Sequence, residues 1–250
     1  DSFKPQVASS KNVILKLIFS KENTGFSKGN NLAAVRATAN ILLFLNSDTE
    51  VIDDAIFDFY TYFVSPQNTF DVLGAKLIEI DRTTPQPSCG PAFTLPMIFT
   101  FLFLRGDYLH ITRYSPDSLT QVAWVSGACF MMKKSTYEAL GGFDEGIFMY
   151  MEEIDLFHRA RLKSMKIGFY PKAQFIHLGS ASSQKRTQPI LQVYKGYIYF
   201  YKKHHSKLEL DLLKILLQLK ALVSLTIGKI TRNQYLIETY EKALEIVALA

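Results

Sequence analysis

The stretch ILLFLNSDTEV, residues 41–51, constrains the chain most. Its apolar residues run without a polar break into Asn46, Ser47 and Asp48. A short unbroken apolar run marks a strand covered on both faces, as in the parallel sheets of α/β proteins. In open sheets of that kind, ligands gather just past the carboxyl ends of the strands. A carboxylate at Asp48 can there hold a divalent cation shared with substrate phosphates. Asn-Ser-Asp is also good turn chemistry, and the triplet taken alone favours the turn.

The surrounding pattern extends the α/β reading. NVILKLIF, residues 12–19, reads as a strand, and residues 31–39 as a helix with Leu32, Val35 and Ala39 at helical spacing. AIFDFYTYFV predicts a second helix and DVLGAKLI another strand. This β-α-β-α-β order predicts a layered α/β domain with a mostly parallel sheet flanked by helices. LPMIFTFLFL is too short to span a bilayer and is either core or an interfacial patch. VAWVSGACFMM reads as a strand broken at glycine, EEIDLFHRARLKSM as a helix, and IGFYP and AQFIHL as two short strands. From about residue 188 the chain turns helical, Leu-rich and Lys-rich. Lys214 and Lys220 interrupt its most apolar run, so a helical cap or a membrane-surface helix is expected rather than a span.

Three further features carry chemistry. KENTGFSKGNN places glycines and asparagines just before a helix, where backbone N–H groups can meet a nucleotide. In MEEIDLFHRARL, Glu153 shares a helical face with Leu156, Phe157, Ala160 and Ser164. The helix dipole explains an acid in a first turn, but not one facing inward. Glu153 is therefore the favoured functional carboxylate. Glu152 lies nearer the edge of that arc, and Asp155 is set for an ordinary ion pair with Arg159. His177 closes a short strand and could complete a cation site with Asp48.

Composition narrows the classes. With 250 residues, 48% of them hydrophobic, the chain can bury a sizeable core. A net charge of +5 suits an anionic ligand or an anionic membrane surface, and no nucleic-acid module is recognisable. Cys89 and Cys129 form neither a zinc spacing nor a disulfide framework, and the polar first ten residues are no signal peptide. A reduced, cytoplasmic setting is expected.

The segments ENTGFSKGNN, LLFLNSDTEV, WVSGACFMMKKSTYEALGGFDEGIFMYMEEIDL and FYPKAQFIHLGSAS, taken in order, resemble the family-2 glycosyltransferases. The nearest subgroup is the rhamnosyltransferase-like enzymes of bacterial surface-polysaccharide synthesis. The resemblance covers about residues 20–182 and implies a GT-A fold over residues 1–187, with a C-terminal helical extension over residues 188–250. It implies that Asp48 and His177 serve a Mg2+ or Mn2+ ion. It implies that Asn23, Gly25, Phe26, Asn31 and Asn46 line the donor nucleotide, and that Trp124, Ser126 and Gly127 shape the sugar and acceptor pocket. It makes Glu153 the catalytic base, with Glu152 and Asp155 as competitors, because the family's Glu-Asp pair is written Glu152-Glu153 here. Implied partners are a nucleotide-diphospho-sugar and a glycan or lipid-linked acceptor. The basic C-terminal third suggests that its helices meet such an acceptor by peripheral contact, through Lys202, Lys203, Lys207 and Lys214, with the cytoplasmic face of the plasma membrane.

One departure is at the start. The family opens with an apolar strand and an Asp-Asn-x-Ser-x-Asp segment that do not occur here, and Asp1-Ser2 is read as the tail of that segment, with about forty residues absent. Two rivals remain. A sugar nucleotidyltransferase has no use for the Glu152-Glu153 helix or the His177 loop. A truncated, non-catalytic, membrane-associated partner domain is the alternative reading.

Overall fold

The structure, a computed structural model, describes residue 14, residues 16–179 and residues 187–250. Asp1-Ser2, positions 12, 13 and 15 of the first expected strand, and residues 180–182 after His177 lie outside the described residues. The chain runs α1 (Gly25–Arg36), β1 (Ile41–Leu45), β2 (Thr49–Val51), α2 (Ala55–Val64), β3 (Val72–Ile78), β4 (Pro85–Gln86), β5 (Cys89–Gly90) and α3 (Leu95–Phe103). It continues through β6 (Thr120–Val122), β7 (Trp124–Val125), β8 (Cys129–Lys133), α4 (Lys134–Ala139), α5 (Glu152–Leu162), β9 (Ile167–His177), α6 (Thr187–His204), α7 (Lys207–Thr231) and α8 (Gln234–Ala248).

The main sheet has the order β1-β8-β3-β9-β2, with β4 on β3 and β6 on β9. It is mixed, not mostly parallel. Only β3 and β9 pair in parallel among the described strands, and β8 runs antiparallel between β1 and β3. Strand alternation divides the apolar residues between two layers. Leu42, Phe44, Phe130 and Met132 face the larger core, while Leu73, Ala75, Cys129 and Met131 pack against Phe59 and Phe63 of α2. The α/β class and the twofold cover of the β1 run are therefore as expected.

Other expectations change. Residues 14 and 16–20 carry no strand; Leu17 is 59% exposed and Phe19 88% exposed. No described strand lies on that side of β1 to pair with them. The first helix begins at Gly25, not at residue 31, and ends at Arg36. Its inward residues are Ser27 and Ala34, and Val35 faces solvent, because the helix packs by its polar side chains as well as its apolar ones. IGFYP and AQFIHL form one strand, β9, whose pairing with β3 slips between Ala75 and Lys76. That slip absorbs the Pro171 position, which cannot donate to a ladder.

The C-terminal helices share the core of the sheet. Leu191, Tyr194, Tyr201, Leu213 and Leu217 belong to the same buried cluster as Phe130 and Phe157. No described helix is long and apolar enough to cross a membrane. Lys203, expected at a lipid surface, is instead tied to Asp144 at 2.5 Å and Asp155 at 2.7 Å.

Candidate functional site

Asp48 and His177 come together through strand register. β2 pairs with the end of β9 so that Thr49 lies opposite His177, and the Leu178 N–H donates to the Asp48 carbonyl at 2.9 Å. The Asp48 Oδ1 is then 3.4 Å from His177 Nε2. Gln86 fixes the ring from behind. Its amide nitrogen donates to the His177 carbonyl at 2.8 Å, which leaves its Oε1 to accept from Nδ1–H at 2.9 Å. That assignment puts a lone pair on Nε2, the tautomer a metal ligand needs. A lone pair and a carboxylate at this distance repel unless a proton or a cation stands between them. Asp48 and His177 thus fit a cation of the Mg2+ or Mn2+ type, which keeps several non-protein ligands. No group of three metal-ligating side chains occurs among the described residues.

Both side chains open into a cavity of about 370 Å³. Asn46, Phe26, Trp124, Ser126 and Gly127 also line it. Trp124 is held by donating from its indole N–H to the Pro91 carbonyl at 2.9 Å. Gly127 lies where an added Cβ would sit 3.2 Å from the Phe26 ring, so a side chain there would press into the cavity wall.

Glu152 and Glu153 form another part of the wall. Tyr150 (φ 65°) and Met151 (φ 74°) are both left-handed, an arrangement that costs free energy in non-glycine residues and concentrates at functional sites. They turn the chain so that α5 starts with its acids at the cavity. Glu152 Oε2 and Glu153 Oε2 are buried without a hydrogen-bond partner. Burial first, then the charge of Glu153, pushes Glu152 up to about 9. Burial also raises Glu153, opposed by N–H groups of its own backbone and of Gly127 and by the charge of Arg113. Two carboxylates buried side by side, each raised by burial, do not both ionise readily at neutral pH.

The remaining candidates hold the site from behind. Asn23 accepts the Gly25 N–H at 3.1 Å. Gly25 has φ +74°, and a Cβ there would come 2.5 Å from the Phe148 carbonyl. The adjacent Phe26 N–H donates to that carbonyl at 3.0 Å, so this helix end is tied to the chain before α5. The Asn31 amide donates to the Phe143 carbonyl, and its oxygen accepts from Tyr137 Oη and the Phe143 N–H. Asn23, Gly25 and Asn31 order the cavity wall and do not line the cavity.

Asp155 is also structural. It is fully buried, and its carboxylate meets Arg159 at 2.7 Å, Lys203 at 2.7 Å and His204 at 2.6 Å. Burial alone would raise its pKa; hydrogen bonds from His204 and Lys203 and the charge of Arg159 hold it low. The expected pair with Arg159 forms, but under the cover of α6 instead of at the surface.

Arg113 and Tyr197 were not legible as site residues. Arg113 lies over the Trp124 ring at 5.7 Å and donates to the Pro87 carbonyl at 3.2 Å, and it lines the cavity. It sits in an irregular segment with no motif. Tyr197, 2% exposed, reaches the cavity from α6, a helix whose sequence signals only a cap.

No family model matches the chain. Its curated relatives are hexosyltransferases and rhamnosyltransferases of glycan synthesis, in agreement with the resemblance read from the motifs. The chain is 28% identical over 177 residues to the low-salt glycan biosynthesis hexosyltransferase Agl10 of Haloferax volcanii, covering 69% of this chain and 54% of that protein. It is 28% identical over 161 residues to the rhamnosyltransferase WbbL of Escherichia coli K12, covering 61% and 60%. The chain thus spans a little over half the length of these relatives. A solved mannosyltransferase, PcManGT from Pyrobaculum calidifontis in complex with GDP-Man and Mn2+, aligns at a TM-score of 0.48 and 14% identity, over 94% of this chain and 58% of that one.

Proposed function

We propose that this chain is the transferase part of an inverting, metal-dependent glycosyltransferase of GT-A type. It moves a sugar, rhamnose being the leading candidate, from a nucleotide diphosphate to a glycan or lipid-linked glycan in surface-polysaccharide synthesis. The observation that carries the reading is one cavity with two unlike walls. On one stands the Asp48–His177 pair, 3.4 Å apart, and on another Glu152 and Glu153, each with one buried carboxylate oxygen that has no hydrogen-bond partner. The names of the relatives support the choice of rhamnose and of a glycan product.

Asp48 and His177 would hold a divalent cation, which supplies charge neutralisation to a leaving diphosphate. Phe26 and Asn46 line the same cavity and would position the donor. Glu153 would take the proton of the acceptor hydroxyl as it attacks the anomeric carbon from the face opposite the leaving group, which inverts that carbon. Burial raises the carboxyl of Glu153, and its own backbone N–H, Arg113 and the Gly127 N–H work against that, toward the ionised form this step needs. Trp124 lines the cavity beside Ser126 and Gly127, where the sugar would lie. A lipid-linked acceptor would bring the enzyme to the cytoplasmic face of the plasma membrane.

Calorimetry with UDP and dTDP, with and without Mn2+, tests the reading. Cation-dependent binding is expected in the wild-type chain, and its disappearance in Asp48→Ala. Binding of neither nucleotide to the folded chain, with or without metal, would favour a non-catalytic domain.

A further inference from the structure

Helix α7 is apolar on both of its sides. Leu213, Leu217 and Ala221 are fully buried against the rest of the molecule. On the opposite side Leu208, Leu212, Ile215, Leu219 and Leu222 follow one another at helical spacing, and Ile230 continues the line past Thr226, whose hydroxyl is turned back onto the Leu222 carbonyl; the six are between 43% and 78% exposed. At 100° per residue these positions lie within about 40° of one line, with no charged residue among them. The helix has 25 residues, so the stripe runs roughly 35 Å. An exposed apolar face of this length marks a contact surface.

The flanks identify what covers it. Lys220 lies on one side of the stripe, with its Nζ 5.9 Å from the centre of the Phe103 ring. Lys214 and Lys229 lie on the other side, where Asp211 is the one acid of the helix not engaged in its cap. Lysines on both shoulders of an apolar stripe can place their stems along the apolar surface and their charges at lipid headgroup level. A symmetric pairing with a second copy would instead set this cationic flank against its equal.

The neighbouring helix links the stripe to the cavity. On α3, Met97 and Phe101 line the cavity, while Phe99, 42% exposed, and Phe103 lie on the other side toward α7. One helix therefore separates the apolar face from the transfer site.

We propose that the outward face of α7, extended by Phe99 of α3, rests on an anionic lipid bilayer and presents the cavity to an acceptor held there. The inference rests on the glycosyltransferase reading for its purpose, but not for its test. The lysines that contact lipid are then Lys214, Lys220 and Lys229, not Lys203, which the fold has already engaged.

The test is co-sedimentation of the full chain with phosphatidylcholine vesicles and with vesicles containing roughly one-third phosphatidylglycerol, at low and high salt. Binding is expected to rise about tenfold or more with the anionic lipid and to weaken with salt. Ile215→Glu with Leu219→Glu should abolish it while leaving the circular dichroism and UDP binding unchanged. As an independent reading, Ile215→Trp should shift its fluorescence to the blue on anionic vesicles. The proposal is overturned if the wild-type chain ignores anionic vesicles at low salt, or if the double variant binds them equally well. It is also overturned if the wild-type chain forms a dimer that the double variant dissolves, because a second copy then owns the face. Loss of nucleotide binding in the wild-type chain counts against the transferase reading alone.

Discussion

Glu152 and Glu153 stand in one wall of the cavity, and their substitutions should read out differently. In the proposed mechanism, Glu153→Gln removes the base and nothing of the Asp48 side. Turnover should fall by roughly 10²- to 10⁴-fold with nucleotide binding unchanged, as single-turnover kinetics beside calorimetry would read. Glu152 should report on stability instead. Its carboxyl is pushed from 4.5 up to about 9, so the folded chain holds a proton that the unfolded chain releases between those values. The stability this group contributes is full below about pH 4.5 and is lost as pH rises through about 9. Glu152→Gln stays neutral throughout. Its Tm should exceed that of the wild-type chain at about pH 8 and match it near pH 4, measured by thermal scans in matched buffers.

Helices α5 and α6 are joined through Asp155. One buried carboxylate there answers Arg159 of its own helix and Lys203 and His204 of the next. Arg159 in turn donates to the carbonyls of Leu140 and Gly142, and Lys203 reaches Asp144, so the network also ties down the turn after α4. Asp155→Ala leaves several buried donors without their acceptor. A loss of about 3–5 kcal/mol is expected in urea denaturation, the range for breaking a buried charge pair from one side. The same substitution should not act as the removal of a base does. Whatever part of the chain remains folded should keep its metal-dependent nucleotide binding.

At the level of the whole molecule, the division at residue 187 is one of texture and not of core. Leu213 and Leu217 of α7 and Ala243 of α8 are fully buried in the cluster that holds Phe130 and Phe157. A chain ended after His205 should lose cooperative unfolding and bind a hydrophobic dye, since it uncovers that cluster. A sharp transition in calorimetry for the shortened chain would instead make the helices a dispensable appendage.

Much of this could be read from residues in order. The ILLFL run ended in a carboxylate because a covered strand delivers Asp48 to the cavity, and Glu153 stood out as an acid at apolar spacing. Both signals are local: alternation and helical period are properties of neighbours in the chain. The spacing of Leu32, Val35 and Ala39 misled for the same reason, since it cannot say whether a helix packs by its polar side chains. Sequence by itself thus determined the α/β class and singled out Asp48 and Glu153, which the structure places in the walls of one cavity. Only tertiary structure decided that β8 would run against β1, that α6 would bury Asp155 and send Tyr197 into the cavity, and that Gln86 would orient His177. These are contacts between segments far apart in the chain, where the energy of packing depends on partners that no local pattern names.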